Sequence, residues 1–115
     1  MAEECIFCRI VAGELPADIV YQDEDFLAFR DIMPKAPTHV LIIPRTHITS
    51  VAELTDGQQK LGGRLIIIAK NLAKKEGIAR KGYRLVINCG TEGGQVVPHL
   101  HLHLLGGRQM DARLG

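Results

Sequence analysis

The run His99-Leu100-His101-Leu102-His103-Leu104-Leu105 constrains this chain more than any other segment. Strict alternation fits an extended strand, in which successive side chains point to opposite faces. The three imidazoles then share one side and the leucines the other. Leucines at that spacing need a core beneath them, so the histidines are presented together on the opposite face. Imidazole, with an ordinary pKa of about 6.5, serves at neutral pH as nucleophile, acid, base or metal ligand. Three such rings on one apolar-backed strand read as a site.

Size and charge narrow the field. With 115 residues and no linker, repeat or charge block, the chain reads as one domain spanning residues 1–115. A net charge of +1 gives no electrostatic reason to expect nucleic acid or an anionic membrane as partner. No apolar run approaches the roughly 20 residues that span a bilayer. The start, Met1-Ala2-Glu3-Glu4-Cys5, has neither a basic nor a long apolar segment, so no secretory signal is read and a cytoplasmic location is expected. Three cysteines, an odd number, do not suggest a disulfide framework.

Ile6 and Ile10, with Phe7 and Val11, predict a short helix over Cys5–Val11, ended by Gly13 and Pro16. Ile19–Gln22, Phe26–Asp31 and Thr38–Ile43 read as three consecutive antiparallel strands. Thr55-Asp56-Gly57-Gln58 matches a capping box that opens a long helix. Leu61, Leu65, Ile68, Leu72 and Ala73 follow its period, and Gly77 stands at the C′ position. Gly62 and Gly63 lie inside that helix at about 1 kcal/mol each relative to Ala. They are either a tolerated weakness or a place where another backbone approaches, such as that of a partner subunit. Tyr83–Asn88 and His99–Leu105 are the fourth and fifth strands.

Between those two strands lies Cys89-Gly90-Thr91-Glu92-Gly93-Gly94-Gln95-Val96-Val97-Pro98. Its glycines admit positive φ and let N–H groups converge on an anion. Alone such a loop is a turn; directly before the histidine run it reads as a phosphate cradle. Cys89 reads as a small packed side chain. Asp31, before Ile32-Met33-Pro34, is by itself a turn-capping carboxylate. Cys5-x-x-Cys8 follows no strand, which argues against a redox motif. The pair is either two unconnected thiols or, with two histidines, half of a tetrahedral zinc site.

The triad, its Gly93-Gly94-Gln95 approach and the following Gly106-Gly107-Arg108-Gln109-Met110 resemble the histidine-triad (HIT) family, in particular its Hint branch of nucleoside phosphoramidases. Ala28-Phe29-Arg30-Asp31-Ile32, Ala36-Pro37-Thr38-His39 and Gly82-Tyr83-Arg84-Leu85-Val86-Ile87-Asn88 extend the resemblance over roughly residues 4–110. It implies an α+β fold: a five-stranded antiparallel sheet with one long and one short helix, two protomers joining into a ten-stranded sheet. It implies a purine nucleotide, AMP-like, as substrate, His101 as nucleophile, and His39, His99 and His103 as supporting histidines. Phe7, Ile10, Phe29 and Ile32 match the walls around the base, and Asp31 the carboxylate that holds the ribose. Asn88, Gly94, Gln95, Val96, His101 and His103 match the phosphate contacts. Relatives with the N-terminal cysteine pair imply structural zinc on Cys5, Cys8, His47 and His99.

Attack by a neutral imidazole on phosphorus divides one hard displacement into two easier ones. No metal is required if histidines, amides and loop N–H groups neutralise the phosphate oxygens. Dinucleoside polyphosphate hydrolysis is the nearest alternative, and a nucleotide-binding or interaction module without turnover is another. Nucleotidyl transfer to a sugar phosphate fits less well, because that branch has glutamine where His103 stands. Val96 departs from the polar residue often found after the glutamine, and the tail Asp111–Gly115 lacks a tryptophan, so the leaving group is not implied.

Overall fold

Alternation along the C-terminal strand organises the whole sheet. The computed structural model describes residues 4–115; Met1, Ala2 and Glu3, read above for a leader, lie outside the described residues. The elements are α1 (Ile6–Val11), β1 (Ile19–Gln22), β2 (Phe26–Arg30), β3 (Thr38–Pro44), α2 (Gln59–Lys75), β4 (Tyr83–Val86) and β5 (Leu102–Gly106). Each lies within a residue or two of its expected place, except β5, which starts three residues late.

The five strands pair in the order β1-β2-β3-β5-β4, every neighbouring pair antiparallel. The chain leaves β3, crosses the sheet as α2, lays β4 at the far edge, and returns β5 into the gap. The strand richest in leucine thus takes an interior place. Its register sets Leu41 and Val86 on either side of His103, and His39 opposite Leu105.

One sheet face packs on α2. Phe26, Ala28, Val40, Ile42, Leu102 and Leu104 from the strands meet Leu65, Ile68, Ala69, Leu72 and Ala73 of the helix, together with Leu100. The other face carries Leu27, Phe29, Leu41 and Ile43, closed by Cys5 and Phe7 around α1. His39 and His103 belong to this second face by strand parity. The segregation continues through His99–His101, although the ladder has not yet begun there. Leu100 donates its N–H to the Ile48 carbonyl (2.6 Å) instead of to a strand, and its side chain remains in the α2 core.

The capping box precedes α2 by one 3₁₀ turn, Asp56–Gln58, with Gln58 Oε1 accepting from Thr55 N–H at 2.9 Å. Gly77 has φ +78° and closes the helix as expected. A Cβ added at Gly63 would meet nothing within 4 Å, and one at Gly62 only Leu54 Cδ1 at 3.9 Å, so packing within the chain requires neither glycine. Among the described residues, no helix is long and apolar enough to cross a membrane.

Leu102 is 1% exposed between the sheet and α2. Leu102→Ala is expected to cost about 2–5 kcal/mol, as cavity-forming core truncations do. Urea unfolding checks it: the midpoint falls with the slope unchanged.

Candidate active site and metal centre

His39, at the second position of β3, is the anchor of the histidine array. Its Nδ1 accepts the backbone N–H of Lys35 (3.0 Å), so the ring proton sits on Nε2. That Nε2–H donates to His103 Nδ1 at 2.9 Å, which in turn puts the His103 proton on Nε2. Burial is the main force holding both rings below the usual histidine range. For His103, pushed down to about 4, the neighbouring His101 and His39 add to it. The Asp31 carboxylate opposes the shift at both. At neutral pH the pair is uncharged and its protons have one direction.

His101 is 6% exposed and packs edge-on to Phe7, with centroids 5.2 Å apart at 88°. Its Nδ1 donates to the backbone carbonyl of His99 (2.7 Å), which leaves Nε2 as a free lone pair. The His103 ring lies 4.9 Å away. Asp31 caps the turn, as its position suggests, and also approaches the histidine pair. Oδ1 accepts from Met33 N–H (2.8 Å) and caps the turn, while Oδ2 lies 3.5 Å from His39 Nε2. Asp31, Lys35, His39, Asn88 and His103 line one cavity of about 210 Å³.

Asp31, His39 and His103 are also close enough to share a cation. The Lys35 amide argues against it: a ligating histidine normally donates its second nitrogen to an acceptor, and here that nitrogen accepts. This donor set suits a hydrogen-bond relay.

The other expected site residues are brought together unevenly. Phe7 and Phe29 stack edge to face at 5.4 Å, and Ile10 packs beside them. Ile32 does not join them; it is 93% exposed on the β2–β3 turn. In the glycine loop, Asn88 Nδ2 donates to the Gly93 carbonyl (2.8 Å), and Gln95 Oε1 accepts from Gly90 N–H (2.9 Å). Gln95 Nε2 braces the loop on the carbonyls of Thr49 (2.7 Å) and Val97 (3.0 Å). The amides of Gly94 and Gln95 close the loop's own turns, onto Thr91 O and Gly90 O. Val96 stands 89% exposed. Gly93 is the glycine that packing demands, since a Cβ there would overlap the Cys89 carbonyl.

Cys5, Cys8, His47 and His99 converge, with all four donor atoms within 4.8 Å of one another. Cys5 Sγ lies 3.3 Å from His99 Nδ1, and Cys8 Sγ lies 3.2 Å from His47 Nδ1 and 3.6 Å from His99 Nδ1. Tetrahedral zinc, with Zn–S of about 2.3 Å and Zn–N of about 2.0–2.1 Å, places its ligands about 3.4–3.8 Å apart. His99 has the outer contact that a ligand needs: Nε2 donates to the Pro44 carbonyl (2.9 Å), leaving Nδ1 for a cation. Burial, and then the adjacent Cys5 thiol, push Cys8 up to about 11, a cost that a bound cation reverses. The four residues fit a metal ion.

Three groups here carry no sequence signal: the Lys35 amide, the Pro44 carbonyl and the Thr49 carbonyl. All are main-chain atoms.

The fold and the histidine array place the protein in a known class: the HIT domain model matches residues 12–110, and the chain belongs to that family. Its relatives include the purine nucleoside phosphoramidase of Escherichia coli K12, 51% identical over 99% of this chain and 96% of that one. An uncharacterised HIT-like protein of Synechococcus elongatus is also 51% identical, over 96% of each chain. A HIT family hydrolase from Legionella pneumophila superposes with a TM-score of 0.94 at 52% identity, covering 96% of this chain and 99% of that one. One from Clostridium thermocellum gives 0.94 at 47% identity and 97% coverage of each.

His103 stays neutral down to about pH 4 in the folded protein but titrates near 6.5 when unfolded. Between those values the unfolded state binds more protons, so stability falls as pH drops through that window and levels off below it. Urea midpoints at pH 7, 5.5 and 4.5 should show this slope, and His103→Asn should reduce it to the part that His39 and His99 contribute.

Proposed function

We propose that the protein hydrolyses the P–N bond of purine nucleoside 5′-phosphoramidates, with an AMP-like nucleotide covalently held on His101 between two half-reactions. The observation that carries the reading is the free Nε2 of His101, fixed by the Nδ1 bond to the His99 carbonyl. Nε2 attacks phosphorus and the amine departs, taking from solvent a proton that the water of the second half-reaction returns. The ring, now positively charged, strengthens its Nδ1–H bond to that carbonyl. Stabilisation that grows with the developing charge is what lowers a barrier. Water then cleaves the P–N bond to His101 and releases the nucleotide.

The remaining residues position the substrate. Asp31 Oδ2, the oxygen not used by Met33, accepts the ribose hydroxyls. Phe7, Ile10 and Phe29 wall the base, with Ile32 folding over it from the turn. The second Nδ2 proton of Asn88, the Val96 N–H and His103 Nε2–H hold the phosphate oxygens, while Gly94 and Gln95 shape and brace the loop that presents them. His39 keeps the His103 proton on that nitrogen. Cys5, Cys8, His47 and His99 would hold a structural zinc ion, which supplies a cross-link between α1, the segment after β3 and the histidine run. The catalytic steps require no metal.

The assembly we infer is a homodimer of single-domain chains in the cytoplasm, with neither nucleic acid nor membrane as partner. Edge strand β4 has its outer side unpaired by the sheet order. Ile66 and Ile67 are about half exposed on α2, near Gly63. A two-fold partner covers both liabilities.

Adenosine 5′-monophosphoramidate should be turned over faster than a diadenosine polyphosphate; the reverse order would favour the polyphosphate hydrolase reading, and turnover of neither a binding module. His101→Ala should lose about 10⁴-fold or more in rate while AMP affinity, read by calorimetry, changes little. Retention of turnover within about tenfold would refute the nucleophile.

Native mass spectrometry should find a species of twice 12.7 kDa carrying two zinc ions, one per chain. Cys5→Ala should remove the metal and lower the melting temperature. A monomer at micromolar concentration, or metal-free protein purified without chelators, would overturn the corresponding half of the proposal.

A further inference from the structure

The two centres share a residue. His99 gives its ring to the cysteine cluster and its backbone carbonyl to His101 Nδ1 (2.7 Å). The ring is held from both ends, Nδ1 by the two thiols and Nε2 by the Pro44 carbonyl (2.9 Å). A side chain pinned at both nitrogens and wholly buried leaves little freedom to its own peptide unit. A second path runs alongside. Phe7, between the two cysteines in sequence, touches both histidine rings edge-on, at 5.8 Å from His99 and 5.2 Å from His101.

We propose that the Cys5–Cys8–His47–His99 cluster, when metal-loaded, positions the nucleophile: it aims the His99 carbonyl that keeps the His101 proton on Nδ1. Cys5, Cys8 and His47 are in this sense positioning residues, acting on the chemical step through His99. The proposal rests on the metal and nucleophile assignments above.

The energetic logic is that of a tautomer. Neutral imidazole places its proton on either nitrogen, and only Nδ1–H leaves a nucleophilic Nε2. Without a well-aimed acceptor, ring rotation and tautomer exchange divide the population. The attacking form is then a fraction of the enzyme at every moment, and the rate falls by that fraction. Binding contacts at Asp31 and the glycine loop lie outside the cluster, and a substitution at His47 leaves the base-wall residues Phe7 and Ile10 of α1 unaltered, so nucleotide affinity is largely spared.

His47 gives the cleanest test. It meets Cys8 Sγ at 3.2 Å and lies edge-on to the His99 ring at 5.0 Å, without being part of the base wall. His47→Ala removes a ligand, whereas His47→Cys supplies a thiolate in its place. Three readouts are taken on folded protein below its melting temperature: metal content, AMP affinity, and the ¹⁵N shifts and couplings that report the His101 tautomer. Single-turnover rates with adenosine 5′-monophosphoramidate complete the set.

The expected result for His47→Ala is a chemical step slowed by about tenfold or more, AMP affinity within about twofold, and a mixed His101 tautomer. His47→Cys should restore metal, a single Nδ1–H tautomer and most of the rate. An unchanged tautomer and rate in metal-depleted His47→Ala overturns the proposal, as does a slowed step with the tautomer intact. Failure of the underlying assignments reads differently: wild-type protein then lacks metal, or turns over nothing while its His101 tautomer responds to His47→Ala. If His47→Ala does not fold, chelator titration of the wild type with the same tautomer readout decides between the same two outcomes.

Discussion

Three leucines closed over by a helix hold the functional face in place. Leu100, Leu102 and Leu104 are each within 1% of complete burial against α2. Burial of such a side chain stabilises by about 1.5–3 kcal/mol relative to exposure. A one-residue slip of this segment would exchange leucines for histidines in that core, so the register is strongly specified. His39 is set by the same rule on β3, where Val40 and Ile42 face the helix. The site's geometry is therefore a by-product of apolar packing on the opposite side of the sheet. No histidine needs to contribute stability for the array to form.

Polar burial on that scale is costly unless every group is satisfied. Among the described residues, no buried side-chain nitrogen or oxygen lacks a partner. The means is directional. The Lys35 amide feeds His39, His39 feeds His103, and His101 gives its proton to the His99 carbonyl. His39, His99, His101 and His103 each have one nitrogen assigned by a main-chain group or by a neighbour so assigned. Four rings are thereby oriented in an interior where burial penalises the charged form of His39, His99 and His103.

Much of this was legible in the chain before folding. The His-Leu alternation sets the face of each side chain as read, and the capping box before α2 and Gly77 after it stand where they were read. The cysteine pair and two distant histidines do converge. What could not be read is mostly main chain. Nothing in the identities of Lys35, Pro44 or Thr49 announces that their peptide groups orient His39, His99 and Gln95. Strand order was hidden for a related reason: placing β5 between β3 and β4 depends on the path of the crossover, not on the composition of any strand. Ile32 was matched to an apolar wall and stands in solvent, because a turn side chain has no packing to draw it in without a ligand. The start of β5 was misjudged because alternation outlasts the ladder; Leu100 keeps its face while its N–H turns to Ile48.

The backbone of Lys35 is gripped on both sides of its Cα: its N–H is given to His39, and its carbonyl receives the Arg108 guanidinium at 3.0 and 3.3 Å. Every amino acid but proline offers the same two atoms. The two backbone contacts at position 35 therefore do not depend on which side chain stands there, while a single exchange to proline removes the donor. Importance at such a position is invisible to residue-by-residue comparison, and appears only as the absence of one amino acid.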